Sequence, residues 1–186
     1  MVTASLVKEL REQTGAGIME CKRALEQSGG DLKKASDLLR QSGLAKAEKK
    51  LGRAALQGLI ETYVHAGGRI ASMVELNCET DFVARTPDFK NIAREIAMQV
   101  AAMKPRYISA DSVPESSWAE LEAEFGDRKK AAEAVCLYEQ PFIRDPKRSI
   151  QELIRDGVGK LGENIQVQRF ARFEVGADRP ASTDEE

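Results

Sequence analysis

Residues 60–78 read IETYVHAGGRIASMVELNC, and the hydrophobic pattern of this stretch decides the fold class. Along 60–65, apolar or β-branched residues alternate with polar or aromatic ones, which is the two-residue period of a β-strand. Ala66-Gly67-Gly68 follows as a turn signal, because glycine permits the positive φ that a tight hairpin needs. On the return, one face carries Ile70, Ser72, Val74, Leu76 and Cys78. The stretch therefore predicts a β-hairpin.

A third strand is predicted at 165–175, where apolar and polar residues alternate again. Three strands need helices to cover them, and the clearest candidate follows Thr86-Pro87, since threonine caps a helix and proline suits its first position. Its apolar stripe has helical spacing and consists of Phe89, Ile92, Ala93, Ile96, Ala97, Val100 and Ala101. Lys104-Pro105 is expected to stop this helix, which we expect to pack against the sheet.

Further helices are predicted between this helix and the last strand. Residues 115–138 indicate one or two helices around Gly126-Asp127, and Asp145-Pro146 is expected to open another. The apolar side of that last helix would carry Ile150, Leu153, Ile154 and Val158. The fold class predicted for this part is α+β, with a three-stranded antiparallel sheet covered by helices.

The amino-terminal residues 3–42 predict three short helices that form a compact bundle. Thr3 or Ser5 can cap the first helix and Asp31 the third, and Gly43 is expected to close the module. A linker follows that is basic and poor in large apolar residues, with Lys46, Lys49, Lys50 and Arg53. Composition alone favours a solvated connecting helix for this linker.

The resulting division of the chain has three parts. Residues 1–54 form the three-helix module and linker, and residues 55–176 form the sheet-containing core. Residues 177–186 lack apolar content and contain Pro180 and three acidic residues near the end, which predicts a disordered acidic tail.

The motifs that the sequence lacks favour a binding protein over an enzyme, and its composition is that of an ordinary globular protein. The 186 residues are 42% hydrophobic and 31% charged with a net charge of -2, which is typical of a globular protein without general affinity for nucleic acid. No nucleophile motif, Walker loop or GxGxxG motif is present, so we expect no catalytic residues and no cofactor. The cysteines lack metal-binding spacing, which predicts reduced thiols, no metal site and a cytoplasmic protein; no stretch reaches the length of a membrane span.

The hairpin leads into Glu75-Leu-Asn-Cys-Glu-Thr-Asp-Phe-Val-Ala84, where Thr80 or Asp81 could cap a helical turn. The residues alone leave two interpretations of Phe82. It could be a core aromatic on that turn, or the turn could present it to a partner as an anchor.

At this point the sequence resembles the elongation factor Ts family, whose TDFVA signature stands unaltered at 80–84. Thr3-Ala-Ser-Leu-Val-Lys-Glu-Leu-Arg-Glu, Thr14-Gly-Ala-Gly, Glu20-Cys-Lys and Gly30-Asp resemble the family's amino-terminal module, which is similar to ubiquitin-associated (UBA) domains. Gln140-Pro-Phe, Gly162-Glu-Asn-Ile and Arg172-Phe-Glu-Val-Gly are similar to its later signatures. The resemblance covers residues 2–176.

The resemblance implies a guanine nucleotide exchange factor that binds elongation factor Tu, in its GDP-bound and nucleotide-free forms, and promotes GDP release by disturbing its Mg²⁺ and phosphate sites. Asp81 and Phe82, flanked by Thr80 and Val83, would lead the contact. The family's phenylalanine wedges beside a helix of Tu, and its acidic neighbour contacts that helix. Further matching positions are Lys22, Lys50, Leu161 and Gly162, which would touch the nucleotide-binding domain, and His65, which would contact another domain of Tu.

The chain departs from longer family members, which carry two related core halves and a coiled-coil insertion, because it has one core unit. Short members of this type are similar to proteins that pair as homodimers through their sheets. The resemblance therefore adds a homodimer to the alternatives for this chain, beside a monomer.

Two other functions fit the residues less well. The first is a helical adaptor that binds ubiquitin, but such modules tend to have an aromatic after the first-loop glycine, and Ile18 follows Gly17 here. The second is a ribosome- or RNA-associated factor that uses the basic linker, which the negative net charge disfavours.

Overall fold

A computed structural model describes residues 2–177; within that range the side chains of Leu44 and Lys46 are not described. Eight α-helices and five strands follow one another in these residues. The helices are α1 Ala4–Thr14, α2 Ile18–Gln27, α3 Leu32–Glu48, α4 Asp81–Ala84, α5 Pro87–Met103, α6 Glu115–Phe125, α7 Arg128–Val135 and α8 Ile150–Leu161. The strands are β1 Gln57–Val64, β2 Ile70–Cys78, β3 Pro141–Phe142, β4 Asp145–Ser149 and β5 Gln166–Glu174. The predicted tail lies, apart from Ala177, outside the described residues.

The chain folds into two compact units, each assembled from separate segments. The first consists of the residues up to Gly58, Asn77–Phe89 and Gln151–Gln166. The second consists of Leu59–Leu76, Lys90–Ile150 and the chain from Val167 onward. The domain boundaries predicted from the sequence remain predictions.

In the first unit, α1, α2 and α3 enclose a small core of Leu10, Cys21, Ala24, Leu25 and Ala35. The Thr3 side chain caps α1 by accepting a hydrogen bond from Leu6 N–H, and the Asp31 side chain caps α3 in the same way through Lys34 N–H. The predicted three-helix module is therefore present.

The expectation that Gly43 closes this module is wrong, because α3 continues through it to Glu48. A Cβ atom built on Gly159 of α8 would lie 3.0 Å from Gly43 Cα, so the two helices meet backbone to backbone. The glycine at 43 serves this close approach and does not end the helix.

In the second unit, the sheet has the strand order β1-β2-β5. His65 N–H donates to the carbonyl of Ile70 at 2.8 Å, and Val175 N–H donates to the carbonyl of Arg69 at 2.9 Å. Both bonds join a strand end to a strand start, so the sheet is antiparallel. The predicted α+β fold class, with a helical amino-terminal region and a three-stranded antiparallel sheet with helices, is confirmed.

Helix α5 covers the buried side of this sheet, as predicted. Ser72 and Val74 of β2 are buried, and Ser72 Oγ donates to the carbonyl of Ala97 at 2.6 Å. Lys104 takes a left-handed φ of 50° directly before Pro105, which ends the helix at Met103. Helices α6 and α7 enclose a satellite core around Trp118 and Leu121.

The predicted start of the last helix at Asp145-Pro146 is wrong. Asp145–Ser149 forms β4, which pairs antiparallel with Pro141–Phe142, and α8 begins only at Ile150. The buried Gln99 side chain accepts a hydrogen bond from Ile143 N–H at 3.0 Å, which ties the ribbon to α5. Pro146 is tolerated because a two-stranded ribbon has an outer edge where no N–H is needed.

Among the described residues, no helix is both long and apolar enough to span a membrane. Cys21, Cys78 and Cys136 are free and buried. The cytoplasmic location stays a prediction.

Candidate functional site

A one-turn helix, α4, leaves the end of β2 in the first unit. Thr80 is its N-cap residue, with extended backbone angles, and its hydroxyl accepts a hydrogen bond from Val83 N–H at 3.4 Å. Ala84 on the inner side of the turn is buried and Val83 is half-buried. Of the two capping residues that the sequence allowed, Thr80 and Asp81, the cap is therefore Thr80.

Phe82 is 80% exposed at the outer side of this turn. A phenyl ring in water forgoes the stabilisation that burial would give, about 1.5–3 kcal/mol for a large apolar side chain. The interpretation of Phe82 as a core aromatic is therefore wrong. The turn presents the ring to solvent, as an anchor for a partner would require.

Asp81, the preceding residue, pairs with Arg85 one turn later on the same helix. Asp81 Oδ2 lies 2.8 Å from Arg85 Nη2, and the Arg85 side chain is exposed while that of Asp81 is about half exposed. Such an exposed pair is weak, so the carboxylate can exchange Arg85 for a group on a partner at little cost.

The loop that follows α8 holds the turn through Glu163. The Glu163 carboxylate accepts a hydrogen bond from Thr80 N–H at 2.9 Å and another from the Thr80 hydroxyl at 2.6 Å. Bonds to an ionised acceptor are short and strong, so the residue before Asp81 and Phe82 is held at two atoms.

Glu79 makes the reciprocal contact, from the strand end to the loop. Asn164 N–H donates to Glu79 Oε1 at 2.7 Å, and Arg53 Nη1 lies 3.5 Å from Glu79 Oε2. The hydrogen bond from Asn164 makes the largest contribution to holding the pKa of the Glu79 carboxyl below its usual range, and the charges of Arg53 and Lys50 lower this pKa further. The carboxylate is therefore ionised at neutral pH.

The basic linker joins the same site. The Lys50 ammonium donates to the carbonyl of Gly162, whose φ of 77° allows the chain to reverse at the end of α8. Gly162 is exposed and Leu161, the last residue of α8, is half-buried. Lys50, Leu161 and Gly162 thus lie together with the 79–84 segment in the first unit.

Lys22 lies in α2, also in the first unit. Its ammonium is 3.9 Å from Glu26, and it lines an open groove of about 810 Å³ with Val7, Ile18, Arg11 and Lys160. The lining also includes the acidic Glu12 and Asp88, and Asp88 pairs with Lys160 at 2.8 Å.

His65 is the one predicted site residue in the second unit. It is exposed at the end of β1, and its Nδ1 lies 3.2 Å from the Tyr63 hydroxyl. This contact orients the ring toward its own strand, and the structure assigns it no further role.

The Cys78 thiol lies beneath the turn and is fully buried. Burial, with a smaller contribution from the nearby charge of Glu163, raises the pKa of this thiol to about 11. It stays protonated at neutral pH, so it can donate to the carbonyl of Thr80, 3.1 Å away.

Within residues 2–177 no group of three or more His, Cys, Asp or Glu side chains could hold a metal ion. The side chains described above fasten the loop after α8 to the turn and leave the Phe82 ring exposed.

The sequence did not single out Glu163, Asn164 or Glu79 as site residues. The signal was available in the Gly162-Glu-Asn motif and in the acidic residue before Thr80. The spacing of these residues along the chain gave no reason to bring them together, because their contact depends on the fold.

Comparison with known proteins gives a consistent result. The sequence model of the family described as Elongation factor TS matches residues 44–127 and 123–177. The chain is 48% identical to a protein named elongation factor Ts from Carboxydothermus hydrogenoformans over 95% of this chain and 90% of the relative. The elongation factor Ts of Syntrophomonas wolfei is 50% identical over 95% and 91% of the two chains, and that of a Thermoanaerobacter species is 46% identical over 100% of both.

Proposed function

This chain belongs to the elongation factor Ts family of translation elongation factors, and from that membership we propose that it binds elongation factor Tu and accelerates release of its GDP. It acts as a nucleotide exchange factor without catalytic residues of its own. The observation that supports this proposal most strongly is Phe82, a large aromatic that is 80% exposed on a fastened turn.

The exchange mechanism converts binding energy into loss of nucleotide. Phe82 enters a pocket beside a helix of Tu, and Asp81 leaves Arg85 to contact that helix. The displaced helix disturbs the groups that hold Mg²⁺ on the partner. Without the cation the phosphate charges of GDP lose their main counter-charge, so the nucleotide dissociates faster.

The remaining predicted contacts extend this surface. Lys50, Leu161 and Gly162 contact the nucleotide-binding domain of Tu beside the turn, and Lys22 contacts it through the amino-terminal module. His65 of the second unit contacts a different domain of Tu. Thr80 and Val83 act by shaping the turn more than by touching the partner, because both are partly covered.

Thermodynamic linkage sets a condition on this function. If the protein weakens GDP binding to Tu by some factor, GDP must weaken its own binding to Tu by the same factor. An exchange factor changes the rate of GDP release and leaves the equilibrium preference of free Tu for GDP or GTP unchanged.

Release of labelled GDP from purified Tu tests the proposal. Substoichiometric amounts of this protein are expected to speed release many-fold, since each molecule acts on Tu repeatedly. Heat-denatured protein serves as the control. A release rate that is the same with and without the native protein would contradict the proposal.

The outer face of the sheet supports a second, more limited proposal, that the protein pairs as a homodimer. Ile60, Val64, Met73, Phe173 and Val175 are exposed, and Arg169 of β5 pairs with Glu75 of β2 on the same face at 2.7 Å. The hairpin and β2–β5 hydrogen bonds set Val64, Ala71 and Phe173 in one row across the three strands. An apolar face of this extent on an antiparallel sheet is typical of an interface.

We expect Phe173→Asp to weaken self-association at least about tenfold, because it places a charge in the apolar row, where burial would have to desolvate it. Phe173 is 70% exposed in the single chain, so its replacement costs little folding stability. Sedimentation equilibrium over a concentration series measures the association, and Phe82→Ala, in the first unit, is the matched control. A native protein that stays monomeric throughout the series would rule the homodimer out.

A further inference from the structure

We propose that Glu163 is a positioning residue for nucleotide exchange, which fixes the direction in which Phe82 leaves the protein by holding Thr80 at two atoms. This inference rests on the proposed exchange function and adds to it a residue that does not itself touch the partner's nucleotide site. Two contacts, that of Glu163 with Thr80 and that of Glu79 with Asn164, are together called the carboxylate clasp below.

Phe82 itself cannot fix its own direction. With 80% of its surface exposed, the ring has few side-chain neighbours, so its orientation follows from the backbone of the turn. That turn is a single helical turn from Asp81 to Ala84, and a helix of this length does not persist in water without outside support.

Thr80 supplies the support, because each of its polar groups is engaged. Its N–H and hydroxyl donate to Glu163, while its carbonyl lies 3.1 Å from the Cys78 thiol and 3.3 Å from Ala84 N–H. Of these partners only Glu163 comes from a distant part of the chain, so its two bonds are the ones through which Thr80 is tied to the loop after α8.

The loop that carries Glu163 is fixed in return. Asn164 N–H donates to Glu79 Oε1 at 2.7 Å, and the Asn164 side-chain amide donates to the carbonyl of Arg53 at 2.8 Å. The carboxylate of Glu79, at the strand end, therefore accepts a hydrogen bond from the backbone of the loop. The carboxylate of Glu163, in the loop, accepts one from the backbone of Thr80. Two such contacts resist rotation of the turn, which a single hydrogen bond would not.

Loss of the clasp is expected to change how the rate of GDP release depends on the concentration of the exchange factor. If the clasp opens, Phe82 points in the binding direction for only a fraction of the time, and the apparent dissociation constant rises by the reciprocal of that fraction. Once bound, the turn is held by the partner. The maximal rate of GDP release is therefore preserved, in contrast to a loss of Phe82 itself.

Glu163→Gln is the principal test. A glutamine carries no charge and has one oxygen and one NH₂ group in place of the two carboxylate oxygens, so the N–H and the hydroxyl of Thr80 can no longer each donate to an oxygen of its own. We expect the concentration of exchange factor at half-maximal GDP release to rise about tenfold, with the maximal rate within about twofold of the native value. Glu48→Gln, an exposed carboxylate at the end of α3 in the same unit, is the matched control and should change neither quantity.

Substitutions at Thr80 test the same contact from the other side. Thr80→Val removes the hydroxyl with little change of shape and should raise the half-maximal concentration several-fold, whereas Thr80→Ser keeps the hydroxyl and should behave like the native protein. In the double variant Glu163→Gln with Thr80→Val, the rise should be smaller than the product of the two single effects, because both remove the same bond.

Amide hydrogen exchange in the free protein separates this inference from the proposed function. The Thr80 and Val83 amides should lose protection in Glu163→Gln and keep it in Glu48→Gln, whether or not Tu responds. A protein that does not accelerate GDP release at all contradicts the exchange function but leaves this readout intact. Any of three results for Glu163→Gln would overturn the role of Glu163. They are unchanged protection of the Thr80 amide, an unchanged half-maximal concentration, and a maximal rate that falls by as large a factor as the half-maximal concentration rises.

Discussion

Phe82→Ala is expected to slow GDP release from elongation factor Tu at least about tenfold at saturating concentrations of the factor, which corresponds to about 1.4 kcal/mol in the barrier. The ring is 80% exposed, so its removal leaves no cavity and the free protein should keep its stability. In the proposed mechanism the ring displaces a helix of Tu after binding, so we expect the loss in the maximal rate. Single-turnover release of labelled GDP measures this rate.

Leu56→Ala is the control for Phe82→Ala, since Leu56 is also in the first unit and is 83% exposed. It removes a comparable area of exposed apolar surface without touching the turn. The mechanism would be wrong if Phe82→Ala exchanged nucleotide at the native rate, or if Leu56→Ala were equally impaired.

The largest effect on stability is expected from Gly159→Val in α8. A Cβ atom at this position would lie 3.0 Å from Gly43 Cα and 3.1 Å from the Gly43 carbonyl oxygen. Those atoms belong to the backbone of α3, so they cannot turn aside as a flexible side chain would. The helices must separate, which loosens their packing, and we expect a loss of about 3 kcal/mol. For a chain of this size the midpoint of thermal unfolding should fall by roughly 6–12 °C.

Gly43→Ala is the matched control, because the facing glycine has more room. A Cβ atom on Gly43 has its nearest neighbour at 3.9 Å, which is ordinary van der Waals contact. Alanine also favours a helix over glycine by about 1 kcal/mol, so this variant should be as stable as the native protein or slightly more so. Circular dichroism measures the midpoint of thermal unfolding. Equal midpoints for Gly159→Val and Gly43→Ala would contradict a tight approach between α3 and α8.

The elements with a strong local pattern could be predicted from the sequence. The alternation of apolar and polar residues predicted the hairpin and the last strand. The apolar stripe after Pro87, together with the stop at Lys104-Pro105, predicted α5, which ends at Met103. The turn at 80–84 also followed from a local signal, the capping threonine. These features depend on neighbours within a few residues, so a pattern in the chain is sufficient to indicate them.

Features that depend on distant partners could not be predicted in this way. Gly43 was expected to end a helix because its role, contact with Gly159, is invisible locally. Asp145-Pro146 has the composition of a helix start, yet pairing with Pro141–Phe142 makes the segment a strand. Alternation in β1 predicted two faces but not that the face with Ile60 and Val64 would be the exposed one.

The candidate site shows the same division. The family signature predicted Asp81 and Phe82 as partner-binding residues, whereas the contacts of Glu163 with Thr80 and of Glu79 with Asn164, which hold the turn, required the fold. All the partner contacts remain predictions: those of Thr80, Asp81, Phe82, Val83, Lys22, Lys50, Leu161, Gly162 and His65.

The first unit draws on the residues up to Gly58, on Asn77–Phe89 and on Gln151–Gln166, which has a consequence during synthesis. Translation adds about 5–20 residues per second, and domains usually fold as they leave the ribosome, amino-terminal parts first. Here Phe82 is synthesised well before Glu163, which accepts hydrogen bonds from Thr80 at the start of the Phe82 turn. Until Gln151–Gln166 has emerged, the turn that carries Phe82 therefore lacks its hydrogen bonds to Glu163.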